Sequence, residues 1–232
     1  MRINPELTPK LMKMIAAFEG GGLAGNFDGQ ILSWGALQWN LGQGTLGAVL
    51  RRIYKLEPAM TEAIMGASFC KAISSDASLI DFAKREILGG LQTPSRMWRE
   101  RFSKLAALSV TPRVWGEFAQ SYLDNAVKLA LACDFQTERG LALCFDISVQ
   151  NGAPRSDHIQ KYKWSKKIFD VLEWQRLKVM ANAVADCANP QFHDDVLSRK
   201  LTLALGQGVV HKTNYNLERD FGISYSRKWG VK

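Results

Sequence analysis

The sequence predicts a mainly helical α+β protein in which a small glycine-rich β element interrupts the helices near the N-terminus. Three observations carry that prediction. Apolar residues recur at helical spacing over most of the 232 residues. Thr8-Pro9, Thr93-Pro94 and Thr111-Pro112 each place a capping residue before a proline suited to a first helical turn. Residues 20–44 break the pattern with Gly20, Gly21, Gly22, Gly25, Gly29, Gly35, Gly42 and Gly44, and the apolar Ile31, Trp34 and Leu37 between them read as loop and short strand.

In chain order, Leu11, Met14, Ile15 and Phe18 form the stripe of a first helix that the glycines at 20–22 end, so Glu19 falls on its last turn. From Gly44 the helical period returns with Leu46, Val49, Leu50 and Ile53, and stops before Pro58. Further helices are expected near 59–66, 76–88, 94–107, 112–133, 137–150, 166–187 and 190–205, the last opened by Asn189-Pro190. Gly152, Pro154 and the basic stretch 161–167 mark a surface loop. With no internal repeat or low-complexity tract, residues 1–232 read as one domain.

Composition bounds the function. At 47% hydrophobic and 22% charged residues the chain is that of a folded globular protein. A chain of this size buries about 70% of its unfolded surface, so it needs neither disulfide nor metal to make a core. Lys and Arg number 30 against 22 for Asp and Glu, a formal charge of +8 that favours a polyanionic partner. The opening MRINPELTPKLMKM holds no signal-type apolar run and no stretch of the chain is apolar enough to span a bilayer, so neither a secretory signal nor membrane insertion is expected. Cys70, Cys133, Cys144 and Cys187 lack CxxC spacing and His158, His193 and His211 are scattered, so no metal and no cofactor is expected. The cysteines read as buried reduced thiols, with a Cys133–Cys144 bridge as the alternative. Gly42-x-Gly44 lacks the Gly-Lys-Ser/Thr ending of a phosphate loop, so nucleotide is not expected, nor nucleic acid as the principal partner; a monomer is expected.

Glu19 and Asp28 are the first candidates for chemistry. A carboxylate ending a helix, then a glycine-rich turn, then a second carboxylate on a β segment can place two acids across a cleft. Glycosidic cleavage needs that pair: one acid protonates the leaving oxygen, the other activates water or stabilises the oxocarbenium charge. A solvated helix-end Glu and an Asp-Gly turn would look the same on spacing alone.

The neighbouring residues add to this. Glu19-Gly20-Gly21, followed by Phe27-Asp28-Gly29-Gln30-Ile31-Leu32-Ser33-Trp34-Gly35-Ala36-Leu37-Gln38-Trp39-Asn40-Leu41-Gly42-Gln43-Gly44, resembles the active-site segment of chitosanase-type enzymes of the lysozyme superfamily. Ser33-x-Gly35-x-x-Gln38 is also similar to a strand signature of soluble lytic transglycosylases and goose-type lysozymes. More faintly, residues 143–152 look like the family's later helix beside the cleft, and residues 194–200 like its C-terminal lobe. The resemblance implies a two-lobed lysozyme-like fold with Glu19 as general acid and Asp28 as general base. Ser33 falls where the family's Thr holds the attacking water. Gln30, Trp34, Gln38, Asn40, Thr45 and Asn151 are the expected substrate contacts. Three departures stand out: Gln30 replaces the family's Arg, Ile31 its second Gly, and Thr45 the acid that meets the substrate's ammonium group.

Other residues carry two readings. Trp34 and Trp39, taken as one strand at odd spacing, point to opposite faces, one into the core and one free to stack on a sugar. Asp146, inside an apolar helix, reads as an ion-paired buried Asp more readily than as a catalytic one. The leading expectation is a peptidoglycan-degrading glycoside hydrolase of muramidase type. A chitosanase is the alternative, followed by a lytic transglycosylase using Glu19 alone and a non-catalytic basic module that binds cell wall or nucleic acid. Such an enzyme, made in the cytoplasm, would act at the bacterial wall after release, as a phage endolysin, or after export.

Overall fold

Helices form at nearly every position where the apolar spacing asks for one, in a computed structural model that describes residues 2–20, 22–26, 29–151, 156–157, 159–160, 162 and 172–231. The fold is mainly helical with three small two-stranded antiparallel sheets among the described residues. The chain divides into two compact units, Met1–Met14 with Gln120–Lys232, and Ile15–Ala119, the division falling within the first helix and again at residue 119.

Strand β1 (Arg2–Ile3) precedes helix α1 (Leu7–Phe18), whose Leu11, Met14, Ile15 and Phe18 are buried as their spacing predicts. In the unit Ile15–Ala119 a hairpin of β2 (Ser33–Trp34) and β3 (Trp39–Asn40) follows. Ala24 bridges to Ser33 on the other side. Helix α2 (Thr45–Leu56) starts at Gly44, which has φ 73° and leaves the turn in the left-handed region that glycine tolerates. It buries Leu46, Val49, Leu50 and Ile53, and Pro58 then opens α3 (Pro58–Met65) at its first turn.

Helix α4 (Ala67–Ala72) was not expected; Gly66, at φ 89°, separates it from α3. Helix α5 (Asp76–Phe82) runs into a π turn, Ala83–Ile87, and α6 (Arg96–Ala106) and α7 (Val110–Phe118) complete the unit. Their aromatic side chains make one core: Trp34 meets Phe102 and Trp115 edge-on at centroid distances of 5.2 and 5.4 Å, and Phe69, Phe82 and Trp98 extend the cluster.

The expected helix over 112–133 is two helices. It breaks at Ala119, and α8 (Gln120–Ala132) begins anew. Thr111 does not cap a helix either; its hydroxyl, fully buried, donates to the Leu105 carbonyl at 2.7 Å inside a helix begun at Val110.

In the other unit α8 packs on α9 (Glu138–Asn151), a helix buried on all sides from Gly140 to Ser148. Helices α10 (Glu173–Ala185) and α11 (His193–Leu205) pack along each other, and α11 runs into the hairpin of β4 (Gln207–Val210) and β5 (Thr213–Asn216). Short α12 (Leu217–Phe221) and β6 (Gly230–Val231) follow, and β6 closes the chain by pairing with β1. Glu138, buried, holds this C-terminal segment through the Ser224 N–H at 2.9 Å and the Arg227 guanidinium at 3.0 Å. None of the four cysteines is in a disulfide, and burial pushes the Cys144 thiol well above its ordinary pKa. Asp28, Gly152, Pro154, His158 and most of the stretch 161–167 lie outside the described residues. Among the described residues no helix is long and apolar enough to cross a membrane.

Candidate active site

Glu19 sits where the sequence places it. Its N–H donates to the Ile15 carbonyl at 2.8 Å, so helical bonding continues past Phe18, and Gly20 with φ 78° then turns the chain away. The carboxylate-bearing residue is half-buried. The next described segment, at Ala24, pairs with Ser33 through two backbone bonds of 2.8 and 3.1 Å.

The hairpin sorts the candidate substrate residues by face. Ser33 is paired with Asn40 and Trp34 with Trp39. Side chains alternate along a strand and directly paired residues share a face, so both tryptophans lie on one face and Ser33 and Asn40 on the other. This corrects the expectation for the tryptophans, which assumed a single strand; residues 35–38 are the turn between two. Both rings are core, Trp34 at 0% exposure and Trp39 at 7%, and both contact Trp115. Trp34 therefore has no open ring face on which a sugar could stack. Gly35 at φ 87° is pressed against Trp39 and Trp115, where an added Cβ would lie 3.0 Å from the first ring and 3.1 Å from the second.

The remaining candidates of this unit lie in and around the hairpin. Asn40 Oδ1 accepts the Gln43 N–H at 2.9 Å. Thr45 turns its hydroxyl onto the same residue's backbone, accepting from Asn40 N–H at 3.0 Å and donating to its carbonyl at 3.2 Å. Gln38, with φ 51°, donates from Nε2 to the Gly35 carbonyl at 3.1 Å and the Gly22 carbonyl at 3.4 Å, tying the glycines after Glu19 to the hairpin turn. Gln30 lies against Gly42, where a Cβ would approach its Oε1 at 2.3 Å. Its backbone carbonyl accepts the Leu32 and Gly42 N–H groups at 2.8 and 3.1 Å.

Asn151 belongs to the other unit, at the end of α9, and its Oδ1 is buried with no hydrogen-bond partner among the described residues. It lines a cavity of 370 Å³ with Gln150, Cys187, Asn189, Phe192 and Asp195. One turn back on α9, Asp146 is fully buried between Arg199 and Lys200 of α11. Burial pushes its carboxyl up, but the two cations and the hydrogen bonds they donate outweigh this and hold it below the usual carboxylate value. That is the ion-paired reading of Asp146. Its partners went unnamed in the sequence, although Arg199-Lys200 inside an apolar helical run is the signal that could have found them. Among the described residues no group of three or more His, Cys, Asp and Glu side chains could hold a metal ion.

Asn26 escaped the sequence reading. Its Oδ1 accepts the Ile31 N–H at 2.9 Å, and Ile31 has φ 69°, a conformation that β-branched residues rarely adopt. Ile31 stands where the resembled family has its second glycine, and that substitution was the available signal.

No protein-family model and no curated protein matches this sequence. Solved structures do resemble it. A chitosanase complex shares 15% identity over 90% of this chain and 95% of its own, with a TM-score of 0.51. Chitosanase OU01 crystallised with substrate gives 15% identity, 92% and 97% coverage and a TM-score of 0.54. The GH46 chitosanase GsCsn46A of Gynuella sunshinyii, in complex with chitotetraose, gives 13% identity, 92% and 98% coverage and a TM-score of 0.51. The chain takes the fold of these chitosanases over nearly its whole length.

Proposed function

We propose that this protein is a glycoside hydrolase of amino-sugar polysaccharides, with Glu19 as general acid and Asp28 as general base. The observation that carries the proposal is the fold shared over at least 90% of the chain with chitosanases, combined with a half-buried Glu19 on the last turn of α1. Glu19 protonates the glycosidic oxygen as the C1–O bond breaks. Asp28 takes a proton from a water that Ser33 helps to hold, and that water adds to C1 from the opposite face, giving inversion.

Peptidoglycan is the preferred substrate in this reading. Chitosan is a polycation at the mildly acidic pH where it dissolves, and a protein of charge +8 repels it at long range. Thr45, standing for the family's ammonium-binding acid, has its hydroxyl turned onto Asn40. Glycan strands bearing lactyl-peptide carboxylates carry the opposite charge. Chitosan is kept as the second substrate because two of the similar structures hold substrate or chitotetraose. Action at the bacterial wall would follow release or export.

The test is initial rate on purified wall sacculi and on soluble chitosan at matched ionic strength, with Glu19→Gln as the blank, and mass spectrometry of the fragments. Reducing ends from sacculi, lost at least about a hundredfold in a folded Glu19→Gln protein, are expected. Anhydro ends with Asp28→Asn unimpaired would mean a transglycosylase, wall binding without fragments a non-catalytic module, and a higher rate on chitosan a chitosanase.

A further inference from the structure

We infer that a groove on the unit Ile15–Ala119 binds a short peptide bearing carboxylates and a free amino group, the chemistry of the stem peptides carried by wall glycan. The wall as the source of that peptide rests on the peptidoglycan reading; the groove does not. It has a volume of 860 Å³, lies among α4, α5 with its π turn, and α6, and is lined by none of the residues assigned to catalysis or glycan contact. That volume is within the usual range for small-ligand sites, about 300–1,000 Å³. Met97 and Arg101 also line a second depression of 360 Å³, so Arg101 borders both.

The floor of the groove is apolar and fixed, with Phe69, Phe82 and Trp98 in mutual ring contact at centroid distances of 5.5–5.8 Å. Around it stand charges of both signs, Lys71, Arg85 and Arg101 with Asp81 and Glu86. Elsewhere in this unit Arg51, Arg52 and Arg96 each meet a carboxylate, at 2.9, 2.7 and 2.8 Å, whereas none of the three groove cations makes an ion pair among the described residues. Arg101 is already ordered: its guanidinium lies over the Trp98 ring at 4.7 Å and Nη1 donates to the Met65 carbonyl at 3.0 Å. The rest of its planar fork can meet a carboxylate with little side-chain entropy left to lose. The π turn sets the opposite wall. Leu79, Phe82 and Ala83 are buried, and an unbroken α period would bury residue 86 with them. The Leu88 N–H bonds instead to the Ala83 carbonyl at 2.9 Å, so burial resumes at Ile87 and Leu88, and Glu86 stays exposed beside Arg85 at the groove. The Glu86 carbonyl takes the Trp98 Nε1–H at 2.8 Å and ties the turn to α6. A neutral sugar would leave both signs of charge unanswered, and a purely anionic chain would meet Asp81 and Glu86 with like charge. A zwitterionic peptide answers both.

The probe is a free stem tetrapeptide containing γ-linked D-glutamate and meso-diaminopimelate. Its binding to the full chain carrying Glu19→Gln, where no turnover intrudes, is read by calorimetry and by the shift of the Trp98 indole N–H resonance. Chitotetraose and the same peptide with its carboxylates amidated are the controls. Saturable binding of the free peptide is expected, weakened at least about tenfold by Arg101→Gln, the scale of a hydrogen bond to a charged group. Arg85→Gln, on an exposed residue, should weaken it about threefold, as for an exposed ion pair, and carries the comparison if Arg101→Gln fails to fold. No saturable binding, affinity within about twofold of the parent in both variants, or equal binding of the amidated peptide or chitotetraose overturns the inference. Sacculi hydrolysed by wild type without peptide binding would remove this inference alone. Peptide binding with no hydrolysis of either polymer would remove the proposed function and leave the groove as inferred.

Discussion

Asp146 and Lys200 are joined across α9 and α11 by a carboxylate oxygen 2.5 Å from the ammonium nitrogen, with neither side chain exposed. The second carboxylate oxygen takes two bonds from Arg199 at 2.8 and 2.5 Å, and Lys200 gives another proton to Gln150 Oε1 at 2.5 Å. The Asp146 carboxylate thus meets both buried cations, and the Gln150 amide oxygen also accepts from Lys200. Desolvating three charges is costly, so such a triad fixes which faces of the two helices meet more than it adds stability.

Removing the anion should cost more than removing the network. Asp146→Asn takes the carboxylate charge away from the buried Arg199 and Lys200, and a loss of about 3–5 kcal/mol is expected. The triple variant Asp146→Leu, Arg199→Met, Lys200→Met should recover most of that loss. Urea unfolding of the two variants decides it; a triple variant as unstable as the single one would show that the network contributes net stability.

The same carboxylate predicts an acid limb. Its folded-state value lies below the ordinary one near 3.9, so its contribution is fully present above about pH 4 and disappears as pH falls through the folded value. Urea midpoints taken downward from pH 5 should therefore fall, and more steeply for wild type than for the Asp146→Asn protein, which has no proton to take up there. Parallel slopes in the two proteins would place the acid sensitivity elsewhere.

Ile31 offers a test of strain. A β-branched residue at φ 69° costs on the order of 1–3 kcal/mol, whereas glycine adopts that region freely. Against this stand the chain entropy of glycine, about 0.5–1 kcal/mol, and the burial of part of one side chain. Ile31→Gly is expected to be at least as stable as wild type, by up to about 1 kcal/mol, a net of those opposing terms. A thermal or urea midpoint clearly below wild type would mean that Ile31 packing outweighs the strain.

Local pattern carried most of this fold into view. The stripe of α1, the Gly44 start of α2 and the proline at α3 are signals within a few residues of one another, and each appears where its spacing put it. What escaped has a physical reason in each case. The β4–β5 turn uses His211 and Lys212 at φ 48° and 68°, positions for which Asn-Gly is the usual cue. Nothing at Ala119 breaks a helix by propensity, so the end of α7 is a tertiary effect. The shared face of Trp34 and Trp39 depends on a four-residue turn that the alternation pattern does not distinguish from strand, and counting that turn as strand reverses the face of everything after it. Glu19 was legible because a helix end is a local event. The roles of Gln38, Thr45 and Asn26 were not, since each depends on a backbone group brought near only by the folded hairpin and loop.

Thr45 supplies the sharpest test of substrate choice. It is the first residue of α2, where an acidic side chain is favoured by the helix dipole by about 0.3–1 kcal/mol, so Thr45→Asp should fold. An Asp there can keep the bond accepted from Asn40 N–H and must give up the one donated to the Asn40 carbonyl, leaving a carboxylate oxygen for the substrate. If this position meets a glucosaminyl ammonium group, the new charge pair should raise the ratio of chitosan to peptidoglycan turnover by at least about tenfold, the equivalent of about 1.4 kcal/mol. Thr45→Ala breaks the same contacts with Asn40 without adding charge, so its ratio should stay at the wild-type value even if both rates fall. Rates on the two polymers at matched ionic strength, repeated at high salt, separate a local pair from long-range attraction, because screening removes the latter first. Equal ratios in Thr45→Asp and Thr45→Ala would mean that residue 45 does not face the sugar, and the preference for peptidoglycan would then have to rest on other residues.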